Sequence, residues 1–398
     1  MVSLADYAGR EQAYVKHVLL ESYLERLVHK VASRYDHVAY VDGFAGPWLS
    51  ANERFEDTSF GVALNALRRA KTTWKQHGRD VTMSACLVEQ DKAAYSQLAK
   101  VPAQYPDVKI KTHCEDFLDI VPTILQEIPS NAFVFFLIDP KGWRVPLKTL
   151  EPLLARQNSE VIFNFMFEFI NRAADIEQPK VVAGLNELIP HGDWRAMLKS
   201  GERGGDFSVE RRKEILVDAF SNNLRQIGGY QYVAETPVLR PTKDRPLYFL
   251  LYGTRSKKGI EEFRTCQIAA LQEQSRTRAA AKIQYKQATS GQGEIFQSLH
   301  EMARDDLLAY LQSERDAATR WILELTPTQP QAIQYEQLWP QILARSVVTK
   351  VDVNEIVATL RKKEAIYIPD WEKRRRVPQD AYHLQRVLNN LANLLQHP

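Results

Sequence analysis

The chain has 398 residues, 44% of them hydrophobic and 25% charged, which excludes a disordered protein and leaves room for two or three domains. Its formal net charge of +3 is too small to argue for a nucleic-acid partner, so only a local basic cluster can make that case. No apolar run is long enough to span a bilayer, Met1–Asp6 lacks the basic-then-apolar pattern of a secretion signal, and the three cysteines, Cys86, Cys114 and Cys266, are far apart; together these predict a cytoplasmic protein away from membranes, with buried thiols rather than disulfides or a metal site.

Val15, Val18, Leu19, Tyr23, Leu27 and Val31 recur at helical spacing and predict a helix over Glu11–Ser33. Lys16 and His17, near its start, are within reach of a ligand carboxylate, but solvation is the simpler expectation. His37–Asp42 is an apolar, β-rich run that ends in an acid, and Gly43–Phe44–Ala45–Gly46–Pro47 then lets the backbone turn sharply and approach a ligand. A loop over Trp48–Asp57 precedes a helix over Ser59–Trp74. Strand–helix alternation continues: strand Met83–Glu89, helix Lys92–Lys100, strand Lys109–Cys114 followed by Glu115–Asp116–Phe117, and helix Phe117–Gln126. Then come strand Ala132–Ile138, running into Asp139–Pro140–Lys141–Gly142–Trp143, helix Val145–Arg156 and strand Glu160–Phe165. The pattern predicts a doubly wound, Rossmann-like α/β sheet in which Asp42, Glu89, Asp116 and Asp139 converge on one edge.

From Phe167 to about Ile227 the pattern is helical, interrupted by Gly201–Gly205, and predicts an insertion (about 171–227) that lids the cleft. Tyr230–Leu239 and Leu247–Thr254 form two further strands, and Lys258–Gln287 another helix. Ser290–Gly293 serves as a linker, dividing residues 1–289 from 290–398. In the second part, Arg304–Leu325, Tyr335–Ala344 and Asp352–Lys363, the last capped by Thr349, read as helices. Two short strands, Ala365–Pro369 and Ala381–Leu384, flank Lys373–Arg374–Arg375–Arg376. Three helices and a basic hairpin predict a winged helix-turn-helix. From Pro340 onward ten basic residues face six acids, so Lys350, Arg361, Lys362 and Lys373–Arg376 are candidates for phosphate contact, with DNA favoured. The competing reading is a solvated hairpin or a protein-binding winged helix.

Three stretches, Tyr40–Pro47, Ile138–Trp143 and Asn164–Arg172, resemble the three-Cys-motif partner family, TcmP, and more broadly a class I S-adenosylmethionine-dependent methyltransferase domain. The resemblance implies that Asp42, Gly43, Phe44, Ala45 and Gly46 lie at the amino-acid end of S-adenosylmethionine. It implies that Glu89 accepts from both ribose hydroxyls, that Asp116 accepts from the adenine amino group, and that Phe117 lies against the ring. Glu89 and Asp116 have an alternative reading as acids that complement helix dipoles. Asp139, Pro140 and Trp143 resemble the acidic, aromatic loop that holds a target nitrogen in amino-group methyltransferases, with Trp143 stacking on a base. Lys141–Gly142 replaces a second proline there, and Trp48 stands where a small residue is common. Positioning supplies most of the acceleration of methyl transfer, so a site without histidine is no obstacle. Two functions follow: a methyltransferase acting on nucleic acid, or a non-catalytic DNA-binding adaptor of a three-Cys-motif protein resembling radical S-adenosylmethionine enzymes. A third grouping, Asp139, Glu168 and Asp175 as nuclease metal ligands, is a minor option.

Overall fold

The computed structural model describes residues 3–7, 9–46, 50, 55–203, 208–290 and 296–387. A short 3-10 turn (Leu4–Tyr7) leads into α1 (Glu11–Ala32), whose buried stripe includes Val15, Leu19, Tyr23 and Leu27. Alternation then follows: β1 (His37–Asp42), α2 (Ser59–Gln76), β2 (Thr82–Val88), α3 (Lys92–Leu98), α4 (Val101–Gln104), β3 (Lys109–His113), α5 (Val121–Glu127), β4 (Phe133–Ile138), α6 (Glu151–Leu154) and β5 (Ser159–Phe165). Four helices, α7 (Phe167–Ala173), α8 (Pro179–Leu188), α9 (Trp194–Arg203) and α10 (Val209–Gly228), precede β6 (Tyr232–Leu239) and β7 (Pro246–Thr254).

The seven strands form one mostly parallel sheet in the order β3-β2-β1-β4-β5-β7-β6. β7 alone runs against its neighbours, antiparallel to both β5 and β6. Every residue of β4 and β5 is buried, as expected for strands covered on both faces. β1 lies between β2 and β4: the chain runs outward from β1 through β2 to β3, then crosses back to β4 on the other side of β1. That is a topological switch point, where a crevice opens beyond the carboxyl ends of the strands. The mostly parallel sheet flanked by helices is compatible with the expected Rossmann-like α/β fold, and the two further strands predicted after the insertion pair antiparallel.

Two predicted helices are cut short by proline. The segment expected to be helical from Phe117 begins only at Val121, with Pro122 in its first turn, because Asp116 and its neighbours form turns instead. Val145–Arg156 breaks into a 3-10 turn, Leu147–Leu150, and the four-residue α6, with Pro146 and Pro152 at their starts.

The chain divides into two compact units, Met1–Arg255 with Ala280–Gly291, and Ser256–Ala279 with Gln292–Pro398. The boundary therefore falls within the long helix α11 (Lys257–Ser290), most of which groups with the second unit. That unit adds α12 (Phe296–Leu325), β8 (Ile333–Gln334), α13 (Tyr335–Arg345), α14 (Lys350–Lys362), β9 (Ile366–Tyr367) and β10 (His383–Arg386). The three strands pair antiparallel in the order β8-β10-β9. Thr349 caps α14 as expected: its hydroxyl accepts from the Asp352 N–H while the Asp352 carboxylate accepts from the Thr349 N–H. Tyr335, Leu338, Trp339 and Ile342 of α13 are buried. Parts of three predicted features, the Trp48–Asp57 loop, the Gly201–Gly205 break and the Ser290–Gly293 linker, lie outside the described residues, as do Pro47 and Trp48 themselves. No helix among the described residues is long and apolar enough to cross a membrane.

Candidate active site

A cavity of about 790 Å³ opens at the carboxyl edge of β1, β2 and β4. Asp42, Gly43, Phe44, Ala45, Gly46, Glu89, Asp116, Phe117, Asp139 and Pro140 all line it, so the strand ends named from the sequence do meet. The register explains why. β1 pairs with both β2 and β4, which places Asp42 beside Leu87 and Leu137, just before Glu89 and Asp139.

Asp42 is almost fully buried. Its Oδ1 accepts from the Phe44 N–H at 3.1 Å and its Oδ2 from the Tyr40 hydroxyl at 3.0 Å, which shapes the turn after β1. Burial pushes its carboxyl from 3.8 up to about 7; the Phe44 N–H pulls it back, and the charge of Asp139 adds to the rise. Gly43 is required for a reason the sequence did not suggest. A Cβ there would come within 2.7 Å of the Phe117 ring, so the constraint comes from packing rather than from ligand approach. Phe117 is itself buried and meets Phe44 edge-on at 5.6 Å. Glu89 is buried and spends Oε1 on the Asp91 N–H at 2.7 Å. Asp116 is exposed and uses Oδ1 on the Leu118 N–H at 2.8 Å. Both acids thus organise the turns that follow their strands and face the cavity as well.

Asp139 carries the most consequential contacts. The Lys16 ammonium pairs with its Oδ2, and the Asn164 side-chain N–H donates to its Oδ1. Asn164, one residue before the end of β5, is buried, with its own Oδ1 lacking a hydrogen-bond partner among the described residues. Lys16 and His17 are not solvated as expected: both line the cavity, and His17 is buried between the Tyr7 hydroxyl at 2.8 Å and Ser59 Oγ at 3.0 Å. Burial, with Lys16 and Arg10 nearby, drives the His17 imidazole well below its usual range and keeps it neutral. Arg10 pairs with Asp57 at 2.9 Å, and Tyr248 of β7 closes the wall by donating to the Gln12 carbonyl at 2.8 Å. A polar residue on an amphipathic helix gives no hint of which neighbour it faces, so the sequence puts Lys16 and His17 within reach of a ligand but predicts them solvated, and it does not single out Arg10 and Tyr248.

Trp143 does not line the cavity. Its ring packs over Gly184 of α8, where a Cβ would approach to 2.5 Å, and it joins the apolar core. Gly142, at φ +117°, supplies the backbone turn that sends it there. The imagined metal trio of Asp139, Glu168 and Asp175 is dispersed into separate ion pairs. Glu168 holds Arg240 and Arg245 of the β6–β7 connection, and Asp175 holds Arg212. Cys86, His113 and Glu127 come within 4.8 Å of one another, a grouping their spacing did not announce. Glu127 is already paired there with His113 at 3.1 Å and Lys111 at 3.0 Å. Cys86 and Cys266 are buried as expected, but Cys114 is exposed.

In the second unit, Lys373, Arg374, Arg375 and Arg376 are exposed, with Arg375 facing Glu372 at 3.3 Å. Lys362 is exposed too, while Arg361 stacks over Trp371 at 4.5 Å. Lys350 is committed: it pairs with Asp380 at 3.0 Å and lies 4.2 Å over the Trp339 ring.

No family model matches the chain, and no curated protein matches it. Among solved structures, a Legionella pneumophila protein of family model DUF519 is similar at 12% identity and a TM-score of 0.35, over 60% of this chain and 84% of that one.

Proposed function

We propose that the first unit is a class I S-adenosylmethionine-dependent methyltransferase, akin to the three-Cys-motif partner family, acting on nucleic acid that the second unit delivers as a winged helix. The observation that carries the reading is the meeting of Asp42, Glu89 and Asp139, from three separate strand ends, in one cavity of about 790 Å³ at the sheet's switch point. That volume suits a nucleoside-sized ligand. The donor set suits it as well. Glu89 keeps one carboxylate oxygen for a diol, Asp116 stands exposed beside Phe117, and the turn Gly43–Gly46 borders the amino-acid end. The sheet order, with its reversed β7, supports the same reading.

When bound, the cofactor would supply an activated methyl group. The chain would hold the target nitrogen against Asp139 and the Pro140 edge and exclude water with the aromatic and aliphatic walls. Trp143 has no stacking part in this arrangement. For the second unit, α13 and α14, preceded by β8 and followed by β9 and β10 of the same small sheet, support a winged helix, and the exposed Lys373–Arg376 run supports phosphate contact. Buried Cys86 and Cys266, neither of them in a disulfide, suit a reducing cytoplasm.

One observation favours the second reading, a DNA-binding adaptor of a three-Cys-motif protein: both oxygens of Asp139 are already engaged by Lys16 and Asn164. Calorimetry separates nucleoside binding from none. Saturable binding of S-adenosylmethionine that Glu89→Ala weakens at least tenfold supports the methyltransferase; no heat with the wild type removes it. Methyl transfer from labelled cofactor to DNA or RNA, abolished by Asp139→Ala, then separates enzyme from adaptor.

A further inference from the structure

Asp139 poses a problem for any acceptor role. A carboxylate has two oxygens, and here Lys16 holds one and Asn164 the other. Asn164 has to turn its amide N–H toward Asp139, which leaves its own carbonyl oxygen in a buried position without a donor among the described residues. Lys16 is the mobile member of the trio. It is a long side chain on α1, whereas Asp139 and Asn164 sit at the fixed ends of β4 and β5.

The other cations of the cavity are placed differently: Lys141 lies on the side of Glu89 and Asp91, whose charges act on it. Arg10 donates to Asp57 at 2.9 Å and to the Asp6 carbonyl at 2.7 Å. Arg144 lies over the Trp143 ring at 5.9 Å. Lys16, by contrast, lines the cavity beside the turn that follows β1, and its charge is felt at Asp42 as well as at Asp139. An ammonium is a compact point charge on a flexible four-carbon stem, so it can swing from one carboxylate to another.

We propose that Lys16 receives the α-carboxylate of the cofactor's amino-acid end and gives up Asp139 in doing so, which frees an Asp139 oxygen for the N–H of the substrate amine. The inference rests on the methyltransferase reading above and adds an order to it: cofactor binding prepares the acceptor site. Lys16 is thereby both a binding residue and a positioning residue for Asp139. Until the exchange occurs, the Lys16 ammonium and the Asn164 amide compete with an amine N–H for the Asp139 oxygens, so the second substrate is recognised better after the first.

The test uses two ligands on the full chain, measured by calorimetry. S-adenosylhomocysteine has the amino-acid end, and 5′-methylthioadenosine lacks it. Lys16→Met should weaken S-adenosylhomocysteine by about 10- to 100-fold, the loss of one charge-assisted hydrogen bond, and leave 5′-methylthioadenosine unchanged, which also shows that the variant is folded. Asp139→Asn removes the competing carboxylate and should tighten S-adenosylhomocysteine by roughly 3- to 10-fold, without effect on 5′-methylthioadenosine. If Lys16→Met affects both ligands equally or neither, the proposal is overturned while the nucleoside site stands. Weaker S-adenosylhomocysteine binding by Asp139→Asn also overturns the exchange. Wild-type protein that binds neither ligand removes the methyltransferase reading and the proposal together.

Discussion

Asp42→Asn is the sharpest perturbation of the site, because burial has placed a carboxyl where its charge is costly. Its proton affinity rises from 3.8 to about 7 on folding. At ~1.4 kcal/mol for each tenfold change, that sets a ceiling of ~4 kcal/mol. The folded-state value lies above the unfolded one, so the protonated carboxyl favours the folded chain. That stability is present below about pH 4 and is lost as pH rises through about 7. Asparagine keeps the shape and the acceptor for the Phe44 N–H but carries no charge. The variant should therefore gain stability over the wild type as pH rises, by ~2–4 kcal/mol between pH 4 and pH 8, with the surrounding charges absorbing the remainder. Amide exchange of the β1 and β4 segments, compared at equal pH, reads this from the sheet itself, whereas a global melt mixes two units. A difference that stays flat with pH, or a loss that grows with it, would mean that Lys16 holds Asp42 as a favourable carboxylate, and the reasoning fails.

Gly43→Ala should destabilise the first unit by ~1–3 kcal/mol, because the new methyl group meets the buried Phe117 ring. Combined with Phe117→Leu in denaturant titrations, the two changes should be strongly non-additive; simple addition contradicts the packing explanation. Glu168→Gln should loosen the β6–β7 connection by ~1–2 kcal/mol, since a buried carboxylate there faces two arginines that are themselves partly exposed. Faster tryptic cleavage at Arg240 or Arg245 is the readout, and unchanged cleavage counts against the clamp. Replacing Lys373, Arg374, Arg375 and Arg376 with alanine should weaken nucleic-acid binding and lower its salt slope by roughly three, with Arg375 contributing least because Glu372 already faces it. A gel shift with an unchanged slope removes the hairpin from the interface.

The central strands were legible because burial on both faces demands unbroken apolar runs, and Phe133–Ile138 is such a run. The acids that follow them were legible for a related reason: a charge directly after a buried strand marks the point where the chain meets water or a ligand. Contacts made across the fold were not. Lys16 sits on a helix whose pattern says which face is buried but not which strand end it covers. Trp143 has the right distance along the chain from Asp139, yet the positive φ of Gly142 sends it toward α8. Gly43 suggested a sharp backbone turn, but its requirement is the Phe117 ring behind it, which could be seen only in three dimensions. Val145–Arg156 had helical periodicity, and two prolines overrode it.

The most direct test of the account is a crystal structure of the full chain with S-adenosylhomocysteine. The account predicts the nucleoside in the cavity between the β1, β2 and β4 ends, its ribose hydroxyls on Glu89 and its amino-acid end beside Gly43–Gly46. A ligand that sits elsewhere, or none at saturating concentration, contradicts it.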